Sequence, residues 1–328
     1  MIGDSWYPEL GTWNVELERS ELTRGASAPG MEDLKLRIGY EKSLVAALLV
    51  VIFSVSGCGV GVGTLADEVD PPPPPPPQLG GDVVIYGDSR SDASMHQLIM
   101  GGIAAIDPVA VFHTGDLVND GRVAGDWVTF NNIASQLATG TPIYPALGNH
   151  EYESSLYFDN FTLPGNERWY LIDNIDGFNF IVLDTESNIS QGSAQYQWLE
   201  SELSASVSST DFTIVTFHYP IYSTGEHGSD VRQIGDILEP IFEQYGVDAV
   251  FNGHDHNYER STVNGIRYIV TGGGGAPLRD QAGSSPYSEL FVKAYHFCVL
   301  YFDAAENLMV DVYNDSVQLI DRFEIVNR

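Results

Sequence analysis

Residues 82–328 predict an α/β domain built from two packed sheets with helices outside. Short apolar runs alternate with longer helical segments up to about residue 270, the pattern of mostly parallel strand pairing. The last three apolar runs follow one another without helices, as in an antiparallel meander. The segment has about 247 residues, enough for one large domain. Hydrophobic residues make up 43% of the chain, which supplies a core and excludes wholesale disorder.

Each element has its own signal. Val83–Tyr86 is an unbroken run of strand formers closed by a glycine. Met95–Ile106 repeats apolar residues at helical spacing, and Val109–His113 returns to a strand. Val123–Ala138 reads as a helix and Ile143–Leu147 as a strand. Phe178–Leu183, Phe212–Phe217, Asp248–Phe251 and Arg267–Val270 are buried-type strands. Ser193–Leu203 and Val231–Tyr245 lie between them as helices. Tyr295–Phe302, Leu308–Tyr313 and Val317–Val326 form the predicted meander. Cys298 alternates with core residues there and reads as simply buried.

The charge balance excludes some functions. The chain carries 45 Asp and Glu against 15 Lys and Arg, a net charge of −30. Residues 58–328 hold −27 of it. Such a surface offers no Lys/Arg field to displace counterions from phosphates, so no nucleic-acid partner is expected. It repels itself, and salt screens that repulsion, so adaptation to a saline habitat is one reading. Two cysteines, Cys58 and Cys298, make neither a disulfide framework nor a thiolate zinc site.

The N-terminal part reads as address and tether. Leu44 to Val55 has the length of a signal-peptide core and is too short to span a bilayer. Ser54-Val55-Ser56-Gly57-Cys58 closes it and resembles a bacterial lipobox, which makes Cys58 the lipidated first residue of the mature chain. The other reading is a buried helix with an incidental cysteine. A start at Met31 brings the signal to the N-terminus. Residues 1–57 are thus an extension and signal peptide, and 58–81 a linker with seven prolines, Pro71 to Pro77. In polyproline II these make a stiff spacer of about 22 Å. An exported protein of the bacterial cell envelope follows, touching the membrane only through its lipid anchor.

Five short polar motifs each end a predicted strand. They are Gly87-Asp88-Ser89-Arg90, Gly115-Asp116-Leu117-Val118-Asn119, Gly148-Asn149-His150-Glu151, His218-Tyr219-Pro220 and Gly253-His254-Asp255-His256. In parallel sheets the C-terminal strand ends share an edge, where ligands bind. Two aspartates, an asparagine and several histidines then converge, an oxygen and imidazole donor set for zinc, iron or manganese. They exceed the three protein ligands typical of one catalytic zinc and suit a pair of metals sharing a carboxylate.

Taken in order, these motifs resemble the calcineurin-like metallophosphoesterases. Gly253-His254-Asp255-His256-Asn257-Tyr258-Glu259-Arg260 and Gln197-Trp198-Leu199-Glu200 are closest to the purple-acid-phosphatase-like branch. The resemblance implies a four-layer αββα sandwich and two divalent or trivalent ions. It implies that Asp116 bridges them, that Asp88 and His256 bind the first, and that Asn149, His218 and His254 bind the second. It further implies that a metal-bridging hydroxide attacks the phosphorus of a small phosphate ester. His150 then lies beyond the ligands, hydrogen-bonding the phosphate or protonating the leaving oxygen as general acid.

The sequence departs from the family twice, both times at the first metal. Where many members have histidine, this chain has Arg90; where purple acid phosphatases have tyrosine, it has Asn119. Without a tyrosinate ligand the protein is not expected to be purple. Arg90 either holds a phosphate oxygen or pairs with surface acids. His227 is a further candidate for substrate contact, and Asn149 lies beside the phosphate as well as the metal. His96, His113 and His296 read as hydrogen-bonded core residues, and Gly272–Gly275 as a flexible turn beside the site. The function expected is hydrolysis of phosphate esters, monoesters ahead of diesters. The alternative is a surface lipoprotein that uses a degenerate phosphoesterase fold for binding.

Overall fold

The computed structural model describes residues 82–175, 177–206 and 212–328. The expected signal peptide and linker, with Cys58 and Pro71 to Pro77, lie outside the described residues. The described chain runs β1 (Val83–Tyr86), α1 (Ala93–Ile106), β2 (Ala110–His113), α2 (Ala124–Ala134), β3 (Ile143–Pro145), α3 (Ser155–Asn160), β4 (Tyr170–Ile175) and β5 (Phe178–Val182). It continues through α4 (Ala194–Ser206), β6 (Phe212–Thr216), α5 (Gly235–Tyr245), β7 (Ala249–Asn252), β8 (Tyr258–Val263) and β9 (Ile266–Thr271). It closes with β10 (Ser288–Val292), β11 (His296–Phe302), β12 (Leu308–Asn314) and β13 (Leu319–Ile325).

Two sheets result. The first has the order β13-β12-β11-β1-β2-β3, the second β10-β8-β9-β7-β6-β5-β4. Strands β1, β2 and β3 are parallel, as are β5, β6, β7 and β9. The expected meander is β11, β12 and β13, joined antiparallel to β1 through β11. Three antiparallel strands in the second sheet, β4, β8 and β10, were not visible as apolar runs. The expected helices also shorten: α2 ends at Ala134 rather than Ala138, and α5 begins at Gly235 rather than Val231. The first helix starts earlier than its apolar residues suggest, because the Asp92 carboxylate accepts the N–H groups of Ser94 and Met95 at 3.0 and 3.1 Å.

Side-chain alternation along the strands builds the layers. In β1, Val83 and Ile85 enter the core between the sheets, whereas Val84 and Tyr86 face Ile99, Met100 and Ile103 of α1. In the second sheet, Phe178, Phe180 and Ile214 point into the shared core. Ile181, Val215 and Val250 pack against Leu199, Leu203, Leu238 and Phe242 of α4 and α5. Strands buried on both faces are continuously apolar, which is why they read so clearly in the sequence. Phe112 and Phe180 stack across the sheet interface with ring centres 3.8 Å apart. The order is helix, sheet, sheet, helix. No helix among the described residues is long and apolar enough to cross a membrane.

Candidate metal centre and its cleft

The chain leaves β1, β2 and β3 at Asp88, Asp116 and Asn149, and leaves β6 and β7 at His218 and His254. The site therefore draws on both sheets. The backbone turns sharply there: Asp88, Asp116 and His254 have φ of 54°, 57° and 69°. Left-handed geometry at a residue with a Cβ costs about 1–3 kcal/mol and persists only where its surroundings enforce it. Gly115, at φ 98°, permits close approach as well, since a Cβ there would lie 2.8 Å from His218 Nδ1. Gly272–Gly275, expected as a flexible turn, instead pack tightly. A Cβ on Gly272 would collide with the Asp255 carbonyl, and one on Gly274 with that of Gly87.

Backbone carbonyls orient the imidazoles. A carbonyl only accepts, so the ring nitrogen beside it carries the proton. His218 Nδ1 donates to the Thr114 carbonyl at 3.0 Å, His256 Nδ1 to Pro277 at 2.8 Å, and His150 Nδ1 to Asn119 at 2.7 Å. Each Nε2 is left to face the cleft. Around His218 Nε2 lie Asn149 Oδ1 at 3.2 Å, His254 Nδ1 at 3.3 Å and Asp116 Oδ1 at 3.4 Å. Ligands about 2.0–2.1 Å from a tetrahedral cation stand about 3.3–3.4 Å apart, so these separations have the length of coordination edges.

The donor set passes a second test for a cation. Asp88, Asp116 and His218 each place a ligand atom within 4.8 Å of the others, and all three are buried. Asp88 Oδ2 accepts the His254 N–H at 2.9 Å. Its Oδ1 is buried without a hydrogen-bond partner, 3.5 Å from His256 Nε2. A dry carboxylate oxygen lacking a donor is costly unless a positive ion meets it. Burial pushes the Asp116 carboxyl up, but His218, His150 and Arg90 outweigh it and hold it below the usual carboxylate range. Burial, then the neighbouring His218 and His227, pull His254 down to about 2, so it stays a neutral, lone-pair donor.

Arg90 and His150 flank this cluster. Arg90 Nε donates to Asp116 Oδ2 at 3.0 Å, and its Nη2 lies 3.3 Å from His256 Nε2. The arginine thus faces the cluster rather than pairing with surface acids. His150 N donates to Asp116 Oδ1 at 3.0 Å, and its ring is partly open to the cleft. The ring of His227 lies 4.1 Å from that of His254, with Tyr219 at 4.5 Å. His113 and His96 are buried, paired with Ser89 and Tyr86 at 3.0 and 3.1 Å, and Cys298 is buried beside Thr271.

Sequence reasoning missed three contributors. Glu151 is fully buried and accepts the N–H groups of Asp116, Leu117 and Gly148 at 2.9, 2.9 and 2.7 Å. Burial and the Asp116 charge push its carboxyl well up, against the pull of those N–H groups. Asp255 ties down the His227 loop through Ser223 and the His227 N–H. Arg279 lines a cleft of about 340 Å³ together with Arg90, Ser91, Glu226 and His256, and its Nε is buried without a partner. Glu151 and Asp255 lie within the Gly-Asn-His-Glu and Gly-His-Asp-His motifs, whereas Arg279 depends on a loop position.

Residues 82–258 match the profile of the family described as Calcineurin-like phosphoesterase. Purple acid phosphatase 1 of Ipomoea batatas is 31% identical over 196 residues, covering 53% of this chain and 41% of that protein. Probable inactive purple acid phosphatase 24 of Arabidopsis thaliana is 27% identical over 268 residues, covering 66% of this chain and 42% of that one. The chain therefore spans less than half the length of these relatives. In fold it is similar to the purple acid phosphatase from yellow lupin seeds, with a TM-score of 0.67 and 24% identity over 74% of this chain and 53% of that one. It is also similar to the anchor of the inner membrane complex of Plasmodium, with a TM-score of 0.64 and 19% identity over 75% of this chain and 89% of that one. The chain belongs to the calcineurin-like phosphoesterase family, in its purple-acid-phosphatase-like branch.

Proposed function

We propose that the chain hydrolyses phosphate esters with the help of a bound cation, monoesters ahead of diesters. The observation that carries this is the meeting of Asp116, Asn149, His254 and His218 donor atoms at 3.2–3.4 Å beside a cleft lined by arginine. Asp116, Asn149, His218 and His254 would hold the cation, which would supply acidification of a water and an offset to the charge of the ester. Arg90 and Arg279 face the same cleft and supply donors for anionic oxygens. As the P–O bond to the leaving group breaks and the water oxygen bonds to phosphorus, the leaving oxygen needs a proton. With Nδ1–H held on the Asn119 carbonyl, the doubly protonated ring of His150 would give its Nε2 proton to that oxygen and be left as the neutral Nδ1–H tautomer. The ring of His227, 4.1 Å from that of His254, is a further candidate for substrate contact.

The oxygen and imidazole donors suit iron, zinc or manganese. Elemental analysis of the purified protein coupled to a panel of mono- and diesters tests the reading. Bound metal with turnover of a nitrophenyl phosphate supports it, and metal-independent inertness toward the whole panel removes it. The second reading, a surface lipoprotein that binds rather than hydrolyses, is favoured by one observation, the guanidinium of Arg90 on two of the ligand residues. The same assay separates the two.

The tether is a separate proposal that rests on sequence. Lipidation at Cys58 would hold the domain off a membrane on its proline spacer, in the bacterial envelope. Mass spectrometry of the mature N-terminus decides it: an unmodified peptide reading through Cys58 ends the idea.

A further inference from the structure

We propose that the guanidinium of Arg90 stands in for the first of the two cations the family resemblance implies. The chain then holds a single metal ion, on Asp116, Asn149, His218 and His254. The inference deepens the hydrolase reading and rests on its metal site.

The contacts of Arg90 carry the argument. Its Nε donates to Asp116 Oδ2 at 3.0 Å and its Nη2 lies 3.3 Å from His256 Nε2. Those are two of the three donor residues left to the first cation once histidine and tyrosine are replaced by Arg90 and Asn119. A guanidinium keeps its charge at any physiological pH and has no lone pair to offer a metal. A cation at about 2.1 Å from both atoms would overlap the guanidinium nitrogens and meet their charge. The arginine is mostly enclosed, with 13% of its side chain exposed.

The two departures from the family also join in one network. Arg90 Nη1 donates to Ser91 Oγ at 3.2 Å, and Ser91 Oγ donates to Asn119 Oδ1 at 3.2 Å. Asn119 therefore spends its amide oxygen on holding the arginine in place rather than on a metal. Ser91 itself is in the left-handed region, φ 73°, which brings its hydroxyl between them.

Meanwhile the other donor cluster is untouched. Asp116 divides its oxygens: Oδ2 takes Arg90, and Oδ1 stays beside His218 and the His150 N–H. A carboxylate that bridges two metals in the family pattern here bridges a guanidinium and one metal. One divalent ion and one guanidinium against the carboxylates of Asp88 and Asp116 still leave a local charge of about +1, so an anionic ester remains attracted.

Metal stoichiometry tests the proposal. The metal-free chain is titrated with zinc by calorimetry and checked by elemental analysis, then loaded with manganese for electron paramagnetic resonance. The wild type should take up one equivalent and give the spectrum of isolated Mn(II). Arg90→His, and Arg90→His combined with Asn119→Tyr, should take up two and give an exchange-coupled pair. Two equivalents in the wild type would overturn the proposal while leaving the hydrolase reading standing. So would a single equivalent in both folded variants. No uptake by the wild type removes both ideas. One equivalent without turnover of any ester removes the hydrolase reading alone.

Discussion

Glu151 Oε2 accepts the backbone N–H of Asp116 at 2.9 Å and that of Gly148 at 2.7 Å, so one buried carboxylate ties the exits of β2 and β3 together. Glu151→Gln presents an amide N–H to these donors and should loosen the Asp116 turn. Partners that orient a ligand typically matter 10–100-fold for metal affinity. Zinc affinity should fall by about that factor with the far-ultraviolet circular dichroism retained. Unchanged affinity would mean that the turn holds its shape without Glu151.

His150→Ala should lower turnover of esters with poor leaving groups by about 10²–10⁴-fold and affect activated nitrophenyl esters far less. Rates across a leaving-group series give the answer. Equal losses along the series would take away its role as proton donor.

Asp88→Asn should stabilise the metal-free chain by about 1 kcal/mol or more and, by removing a charge beside the metal rather than a ligand, weaken cation binding. The buried Oδ1 has no donor, and asparagine tolerates the left-handed backbone while removing the charge. Thermal melts with and without chelator, set beside zinc titration, check both halves.

Stability should rise with pH from about 4 to about 6.5. Burial pulls His296 down to about 4, against its hydrogen bond to the Ala294 carbonyl, so in that window only the unfolded chain carries its proton. The contribution is complete above about 6.5 and lost as pH falls through about 4. His96, pulled down to about 3 by burial, acts the same way. Asp248, pushed up to about 6 by burial, opposes them over part of the range. Each group adds a slope of about 1.4 kcal/mol per pH unit. His296→Asn keeps a donor for Ala294 but cannot titrate. Denaturant melts should show a shallower pH slope for it by about that amount, and an unaltered slope would contradict the assignment.

Salt should raise the melting temperature. Nine of the ten basic residues of 58–328, Arg90, Arg122, Arg168, Arg232, Arg260, Arg267, Arg279, Lys293 and Arg322, already sit beside carboxylates. The remaining acids repel one another across a surface with a net charge of −27. Moving from about 0.1 M to about 1 M salt shortens the screening length from about 10 Å to about 3 Å. A flat response across that range would count against self-repulsion as a drain on stability.

The strands buried on both faces, such as Val83–Tyr86, were legible because every residue is apolar. β8 was not, because Glu259 and Arg260 enter it on the strength of partners elsewhere: Thr224 and Ser288 for the first, Asp321 for the second. β10 is an edge strand paired only with β8, so its pattern is weak. The residue types at the site were legible from five strand ends. The orientation of Arg90 was not, because it depends on Ser91 and Asn119 reaching across from different loops. Arg279 owes its place to a loop whose path no local pattern encodes.

The left-handed turns at Asp88, Asp116 and His254 set a direction for mutational drift. A lineage relieved of selection for chemistry would gain stability by losing those side chains, because glycine accepts the same angles without strain. Silent but sturdier variants are then the downhill outcome at these three positions.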